Sequence, residues 1–169
     1  LAWSSGNVLA IALDDRVFTG DISYGETKVN LVYSAPEGHY ASSVEWLDTR
    51  HLAVGISSGR VKIIDVEEAK VIRSLKCHAD RVSAMSWSPM NCLSSGGRDR
   101  NLVHSDLRQE HHVVSRIRAH SSEICQVRWS PNEKNLATGG NDDRVLIWDV
   151  ACMANPTVVF DEHKAAVKA

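Results

Sequence analysis

Short apolar stretches separated by polar turns recur along the whole chain in groups of four. The first stretch of a group alternates in character and ends in tryptophan, as in Ser43-Val44-Glu45-Trp46. Alternation over a few residues is typical of a β-strand with one buried face. No segment keeps a 3.6-residue period over three turns, and Gly, Asp, Asn and Ser fill the intervals. The pattern therefore predicts small antiparallel sheets of four strands each.

The four-strand group repeats about every 42 residues. The tryptophans at its start are 43, 41 and 42 positions apart: Trp3, Trp46, Trp87 and Trp129. The third stretch of each group ends in an aspartate: Asp21, Asp65, Asp106 and Asp149. A period in the low forties with a terminal Trp-Asp pair, here Trp148-Asp149, is typical of a WD-repeat β-propeller.

We therefore predict an all-β fold: a partial WD-repeat β-propeller of about four four-stranded antiparallel blades in a single domain. The blades are expected at approximately residues 1–38, 39–77, 78–119 and 120–162, with 163–169 beginning a fifth. Within the third and fourth blades, the second strands are expected at 92–95 and 136–138, before the paired glycines. A partial ring leaves two radial faces bare, so we expect apolar side chains to be exposed there.

Histidines provide a second marker of the repeat, since His78, His120 and His163 are 42 and 43 positions apart. In WD propellers such a histidine joins a hydrogen-bonded chain with an Asp, a Ser or Thr, and a Trp. The fourth blade is predicted to contain the chain His120, Asp142, Thr138 and Trp148. The third is predicted to contain His78, Asp99 and Ser95 without the tryptophan. A buried Asp and His must be paired, so we interpret these residues as structural.

His39 does not keep this spacing, because it lies only seven positions before Trp46. Either the second unit is shortened there or His39 is unrelated to the repeat.

Composition and charge narrow the classes of function. The net charge of −2 provides no bulk attraction for nucleic acid or for an anionic membrane surface. No apolar run approaches the roughly 20 residues that a membrane helix needs. The four cysteines lack C-x-x-C spacing and are interpreted as buried free thiols. We therefore expect the protein in a reducing compartment, namely the nucleus and the cytoplasm.

Two motifs resemble catalytic or metal sites. Residues 55–59 read Gly-Ile-Ser-Ser-Gly, matching the hydrolase nucleophile elbow, but that elbow needs a strand–turn–helix context. Between two predicted strands the segment is better interpreted as a hairpin turn. His104, His111 and His112 lack metal-ligand spacing and are interpreted as solvent-facing. We expect no catalytic residue, no metal and no cofactor.

Residues 98–118 carry five arginines: Arg98, Arg100, Arg108, Arg116 and Arg118. A basic patch for RNA is one interpretation. Aromatic residues for base stacking are not interleaved with them, which favours a solvated or protein-binding face.

Three segments are more specific than the repeat pattern: Leu-Ser-Ser-Gly-Gly-Arg-Asp-Arg at 93–100, His-Ser-Ser-Glu-Ile-Cys at 120–125 and Leu-Ala-Thr-Gly-Gly-Asn-Asp at 136–142. They resemble segments of a known family, the Fizzy and Fizzy-related activators of the anaphase-promoting complex. The resemblance implies a seven-bladed propeller that presents degrons to a ubiquitin ligase. It implies KEN-box binding on the upper face and destruction-box binding between the first and last blades. The implied partners are anaphase-promoting complex subunits, degron-bearing proteins such as cyclins and securin, and spindle-checkpoint proteins.

The resemblance extends to a few site residues. The family's Gly-Gly-Asn-Asp-Asn turn contributes to the KEN site and reads Gly-Gly-Asn-Asp-Asp at 139–143, so Asn141 and Asp143 are the degron-binding candidates. Asn141 matches the family, whereas Asp143 replaces an amide donor with a charge. Ala2 stands where the family usually has an acidic residue that helps to hold the destruction-box arginine. A generic WD scaffold that does not bind degrons is therefore the alternative, ahead of an enzyme.

Overall fold

The computed structural model describes residues 1–23, 28–88 and 92–168, which form four sheets of four strands. The first blade contains β1 (Ala2–Trp3), β2 (Val8–Leu13), β3 (Arg16–Asp21) and β4 (Val29–Ser34). The second contains β5 (Ala41–Trp46), β6 (His51–Ile56), β7 (Arg60–Asp65) and β8 (Lys70–Lys76). The third contains β9 (Val82–Trp87), β10 (Cys92–Gly97), β11 (Asn101–Asp106) and β12 (Val113–Arg118). The fourth contains β13 (Ile124–Trp129), β14 (Asn135–Gly140), β15 (Val145–Asp149) and β16 (Val158–Phe160).

Each blade is an antiparallel meander in which the strands pair in chain order. The first strands of successive blades contact one another, β1 with β5, β5 with β9 and β9 with β13. The four sheets are therefore wedges arranged around a common axis, with the first strands innermost. The predicted all-β class with four four-stranded blades is confirmed. In the described part of the chain, no helix could cross a membrane.

Three apolar clusters lie at the three junctions between blades. Each recurring tryptophan of β5, β9 and β13 packs into the cluster shared with the preceding blade. The indole of Trp46 donates a hydrogen bond to the Ala2 carbonyl oxygen of the first blade at 3.1 Å. Trp3 has no blade in front of it in this structure and is 58 % exposed. The period of the tryptophans thus reflects how one blade is seated on the next.

The second strands of the third and fourth blades extend two residues beyond the predicted bounds and include the paired glycines. The bounds 92–95 and 136–138 were wrong because the glycines were assigned to turns. A Cβ on Gly96 would lie 2.4 Å from Ile124 Cγ2, and one on Gly139 would lie 2.9 Å from Val167 Cγ1. The glycines are in extended strands because they pair with β9 and β13, and the close approach of the neighbouring segment leaves no room for a side chain at Gly96 and Gly139.

The expected start of a fifth blade is described only as far as residue 168, and residue 169 lies outside the described part. No strand is formed across 163–168, and His163 is exposed. Val167 nevertheless packs on Gly139 and donates its N–H to the Gly140 carbonyl at 3.0 Å. Ile124 makes the corresponding approach to Gly96 one blade earlier. The fifth blade itself stays a prediction.

The radial face of the first blade exposes large apolar side chains. Leu13 and Leu31 are 60 % and 50 % exposed on strands whose other face packs against the second blade. In the fourth blade the outer strand β16 exposes Val158 and Phe160. The outer strands β8 and β12 of the two middle blades expose Ile72 and Val114 to a similar extent, so exposure on an outer strand does not mark a bare face, and the bare faces stay a prediction.

Candidate peptide-binding face

One edge of the blades carries the loops that enter β9 and β13 together with the β6–β7, β10–β11 and β14–β15 turns. We call this edge the upper face. The turns have the same backbone arrangement in consecutive blades. The Arg98 N–H donates to the Arg81 carbonyl at 3.0 Å, and the Asn141 N–H donates to the Glu123 carbonyl at 2.8 Å. Arg98 and Asn141 are therefore equivalent positions.

The third position of each turn has a left-handed backbone. Its φ is +80° at Gly59, +72° at Arg100 and +63° at Asp143. Glycine adopts this region without strain, whereas other residues do so at some cost. Arg100 and Asp143 are thus equivalent, and each turn presents its first and third residues on either side of a central residue.

The central residue of the fourth-blade turn, Asp142, points inward to His120. Asp142 Oδ1 lies 2.8 Å from His120 Nδ1, and His120 Nε2 lies 2.8 Å from Thr138 Oγ1. Trp148 donates its indole N–H to Thr138 Oγ1 at 3.0 Å. Because the indole can only donate, the Thr138 hydroxyl is free to donate to Nε2 while Nδ1–H donates to Asp142. The structure thus brings all four of these residues together in one buried chain.

In the third blade, Asp99 Oδ1 lies 2.9 Å from His78 Nδ1, and His78 Nε2 lies 2.9 Å from Ser95 Oγ. Ser105 stands directly before the terminal aspartate, where the fourth blade has its tryptophan. The thiol of Cys77 lies 3.7 Å from its hydroxyl. Ser105 therefore takes the tryptophan's position in the third blade and contacts the Cys77 thiol, a contact that the sequence pattern did not reveal.

Both aspartates are held in the charged form. Burial raises the pKa of Asp99, but hydrogen bonds from His78 and from the Ala79 N–H outweigh it, and the pKa lies well below its usual range. Burial also raises the pKa of Asp142, and hydrogen bonds from His120 and Ser121 again bring it below the usual value. These carboxylates hold the turns in place, as expected of paired buried groups.

An ion pair between the third and fourth blades crosses the upper face. The Arg81 guanidinium donates to both carboxylate oxygens of Glu123 at 2.7 and 2.6 Å, and the Ser83 hydroxyl donates to the same carboxylate at 2.5 Å. The Arg81 hydrogen bonds lower the pKa of Glu123 despite its burial. The two residues are 42 positions apart in equivalent loops, so charges of opposite sign at this spacing were the signal that sequence reasoning missed.

The degron-binding candidates Asn141 and Asp143 flank Asp142 on the upper face. Asn141 is exposed and lines two adjoining clefts, whereas Asp143 lines neither of them. The first cleft, of about 340 Å³, also contains Tyr40, Arg81 and Cys125. The Cys125 thiol donates to Asn141 Oδ1 at 3.2 Å. This contact leaves the Asn141 amide N–H groups directed to no described partner and able to bind a peptide.

The elbow-like segment lies in a strand–turn–strand context. Gly55 is in β6, and β7 begins directly after Gly59. A Cβ on Gly59 would lie 2.2 Å from the His78 carbonyl oxygen. Close backbone approach therefore accounts for the glycine.

The structure corrects the interpretations of His104 and of the cysteines, and it decides between the two alternatives for His39. His104 is 8 % exposed and therefore not solvent-facing, because β11 is covered by the fourth blade. Among the cysteines Cys77 is buried, whereas Cys152 is exposed, so the thiols are not uniformly buried. His39 is unrelated to the buried chains, since its Nδ1 lies 3.2 Å from Ser57 Oγ at an exposed turn.

The five arginines of 98–118 do not form one patch. Arg108 is bound bidentately by Asp106, and Arg116 donates to the Cys77 carbonyl at 2.6 Å. Arg98 and Arg100 lie instead in the second cleft of the upper face.

A second polar group joins the third and fourth blades and was not predicted. Ser94 Oγ lies 2.8 Å from His104 Nδ1 and accepts the Trp129 indole N–H at 3.0 Å. The rings of His104 and Trp129 meet edge to face with centroids 6.3 Å apart. Burial lowers the pKa of His104 to about 4. The imidazole is therefore neutral at pH 7 and serves as a packing element.

Comparison with known proteins agrees with this architecture. Residues 1–90 match the family model for the WD40 domain of anaphase-promoting complex subunit 4, and residues 111–149 match the WD domain, G-beta repeat. The chain belongs to the WD40-repeat family. The resemblance to Fizzy and Fizzy-related proteins is confirmed by relatives that match it from end to end.

Two of these WD40 relatives are the APC/C activator protein CDH1 of Saccharomyces cerevisiae and protein FIZZY-RELATED 1 of Arabidopsis thaliana. They are 39 % and 40 % identical to the chain over 99 % of its length. The chain spans 29 % and 34 % of their lengths, about a third of each relative. A chain in a crystal structure of the mitotic checkpoint complex is 37 % identical, with a TM-score of 0.93 over 99 % of this chain and 51 % of that one.

Proposed function

We propose that the protein containing this chain is a substrate-recognition and activator subunit of the anaphase-promoting complex. In this role it binds degron peptides rather than catalysing a reaction. The observation that carries the proposal is the fourth-blade turn, where the buried Asp142 fixes the exposed Asn141 at the junction of two clefts. A relative named as an activator of the same complex supports it. The proposed partners are ligase subunits, degron-bearing proteins such as cyclins and securin, and spindle-checkpoint proteins, in the nucleus and cytoplasm.

The geometry suits a peptide ligand. The clefts that Asn141 lines are open and polar, and they contain an ion pair whose charges are already mutually satisfied. A peptide laid across them would meet an amide with free N–H groups without having to break the Arg81–Glu123 pair. Such pre-organised donors favour binding because little ordering is needed on association.

The proposal is tested by fluorescence anisotropy with the full-length protein and a labelled KEN-box peptide. We expect Asn141→Ala to weaken binding by about tenfold, the equivalent of one hydrogen bond to a charged or well-placed polar group. The matched control is Asn30→Ala on the exposed strand β4, which should leave the affinity unchanged. Equal affinities of the wild-type protein and the Asn141 variant would assign the peptide to another face.

A generic WD scaffold is favoured by two observations. Asp143 presents a carboxylate where the family turn has an amide. Ala2 stands where the family usually has an acidic residue, and its apolar side chain packs into the first junction cluster. We expect Asp143→Asn to strengthen binding of the KEN-box peptide by about two- to tenfold, since it removes a repulsive charge. If the wild-type protein and Asp143→Asn both fail to bind the peptide, and a pull-down recovers no ligase subunit, the scaffold role is supported instead.

A further inference from the structure

The turn of the third blade differs in chemistry from the equivalent turns on either side. Its first and third residues are Arg98 and Arg100, whereas the second blade has Ser57 and Gly59, and the fourth has Asn141 and Asp143. The central Asp99 is turned inward and bound to His78 and the Ala79 N–H. The carboxylate of Asp99 is therefore bound inside the blade and does not neutralise its neighbours. The guanidinium groups of Arg98 and Arg100 lie on the upper face.

Neither of these arginines is strongly paired. Arg98 Nε lies 3.9 Å from Asp80 Oδ2, and both side chains are about half exposed, so this contact is weak. Among the residues that the structure describes, the Arg100 guanidinium takes part in no ion pair and no hydrogen bond. Arg81, the third arginine nearby, is committed to Glu123 through two short bonds.

Arg98 and Arg100 line a cleft of about 530 Å³ together with Ser121, Ser122, Asn141 and the mutually bonded pair Arg81 and Glu123. The Ser121 hydroxyl donates to Asp142 at 3.2 Å. In the described part of the chain the Ser122 hydroxyl has no partner and can donate into the cleft. The carboxylate of Glu123 in this cleft is already bound by Arg81, so the cleft retains the positive charge of Arg98 and Arg100. Such a cleft is suited to an anion, because arginine binds carboxylate and phosphate oxygens in a bidentate manner.

We propose that Arg98 and Arg100 form a binding site for an anionic side chain of a partner peptide, either a phosphorylated hydroxyl or a carboxylate. The site adjoins Asn141 but does not depend on degron binding there. A peptide is favoured over RNA because no aromatic side chain lines the cleft, and because the chain as a whole has a net charge of −2.

The test uses full-length protein with ¹⁵N-labelled arginine, observed through the side-chain Nε–Hε signals assigned with Arg98→Gln and Arg100→Gln. Three capped peptides serve as probes: Ala-phosphoserine-Ala, Ala-Glu-Ala and Ala-Ser-Ala. We expect saturable shifts of the Arg98 and Arg100 signals with the phosphorylated or acidic peptide, at an affinity at least about fivefold above that for the serine peptide. The ratio of the first two affinities distinguishes the phosphate source from the carboxylate source.

The double variant R98Q/R100Q should lose this preference, whereas R60Q/R144Q, which removes the same charge from exposed arginines outside the cleft, should keep it. Equal shifts with all three peptides would overturn the proposal, as would equal effects of the two double variants. Stronger, saturable shifts with a short single-stranded RNA than with either anionic peptide would overturn it in favour of nucleic acid. None of these outcomes depends on KEN-box binding, so failure here and failure of the proposed function are separable.

Discussion

Trp129 of the fourth blade donates its indole N–H to Ser94 Oγ of the third blade at 3.0 Å. This bond connects two blades through a polar group in an otherwise apolar junction. Ser94 is also bonded to His104, which makes the imidazole part of the same junction. A buried neutral histidine at such a place couples the packing of the blades to pH.

We expect the free energy of unfolding to fall as the pH falls from about 6.5 to about 4, because the unfolded chain protonates His104 in this window and the folded chain does not. Through this window the loss approaches roughly 3 kcal/mol, at about 1.4 kcal/mol per pKa unit. Above about pH 6.5 His104 is neutral in both the folded and the unfolded chain, so no stability is lost there. Urea unfolding of full-length protein at pH 7, 5.5 and 4.5 measures the slope.

His104→Gln should reduce this slope, since glutamine does not titrate. His111→Gln, at an exposed neighbouring position, should leave it unchanged. An identical pH dependence in wild type and His104→Gln would contradict the assignment.

Substitutions of the inward Asp142 and of the outward Asp143 in the fourth-blade turn should differ sharply in their effect on the free energy of unfolding. Asp142→Asn removes the charge that His120 and the Ser121 N–H bind, and should cost about 2 kcal/mol. Asp143→Asn, one position further on, should change the free energy of unfolding by less than about 0.5 kcal/mol. Chemical unfolding at pH 7 checks both values.

The effect of Asp142→Asn should also depend on pH. Because the pKa of Asp142 is lowered in the folded state, its carboxylate stabilises the fold above about pH 4, and this stabilisation is lost as the pH falls further. The free energies of unfolding of wild type and Asp142→Asn should therefore converge in acid. A constant difference between wild type and Asp142→Asn down to pH 2 would show that the carboxylate charge is not the cause.

Two glycines with the same left-handed backbone allow the cost of backbone strain to be measured apart from the cost of a steric clash. Gly38 and Gly59 have φ of +78° and +80°, but only Gly59 has a neighbouring backbone within reach of a Cβ. Gly38→Ala should cost about 1 kcal/mol from the left-handed conformation alone. Gly59→Ala should cost clearly more, because its Cβ would meet the His78 carbonyl oxygen at 2.2 Å. Thermal unfolding compares them, and equal losses would rule out the close approach.

The Arg81–Glu123 pair should couple the third and fourth blades measurably. A double-mutant cycle with Arg81→Gln and Glu123→Gln is expected to give a coupling of about 1–2 kcal/mol, since Glu123 is nearly buried. The exposed pair Arg16 and Asp15, at 3.7 Å, should give less than about 0.5 kcal/mol in the same cycle. Similar couplings for the two pairs would indicate that the bidentate geometry adds nothing.

Several features of the site could be predicted from the sequence because they repeat with the blade. The spacing of His120, Asp142 and Thr138 is set by the lengths of the strands and turns that carry them, so the residues can be found by their place in the repeat. The proximity of Arg81 to Glu123 was equally present in the spacing, but finding it required a comparison of charges across blades. Sequence reasoning considered each blade by itself and therefore missed it.

Other features have no local signal. His104 and Trp129 come together only because the third blade is covered by the fourth, and a histidine on a strand looks solvent-facing until that cover is known. The paired glycines are typical of turns, yet in the structure they pair within strands, and Ile124 and Val167 pack against Gly96 and Gly139.

Alternation, turn residues and a period of about 42 were enough to determine the strands and their grouping in fours, because hydrogen-bonded pairing within a blade connects neighbouring stretches of chain. Which side chains of one blade meet those of the next was decided only in three dimensions, since such contacts join residues 35 and 42 positions apart. The contact of His104 with Trp129 and the placement of Arg98 and Arg100 in a cleft shared with the fourth blade belong to this second class. Burial and the reach of individual side chains govern these contacts, and neither can be read from periodicity.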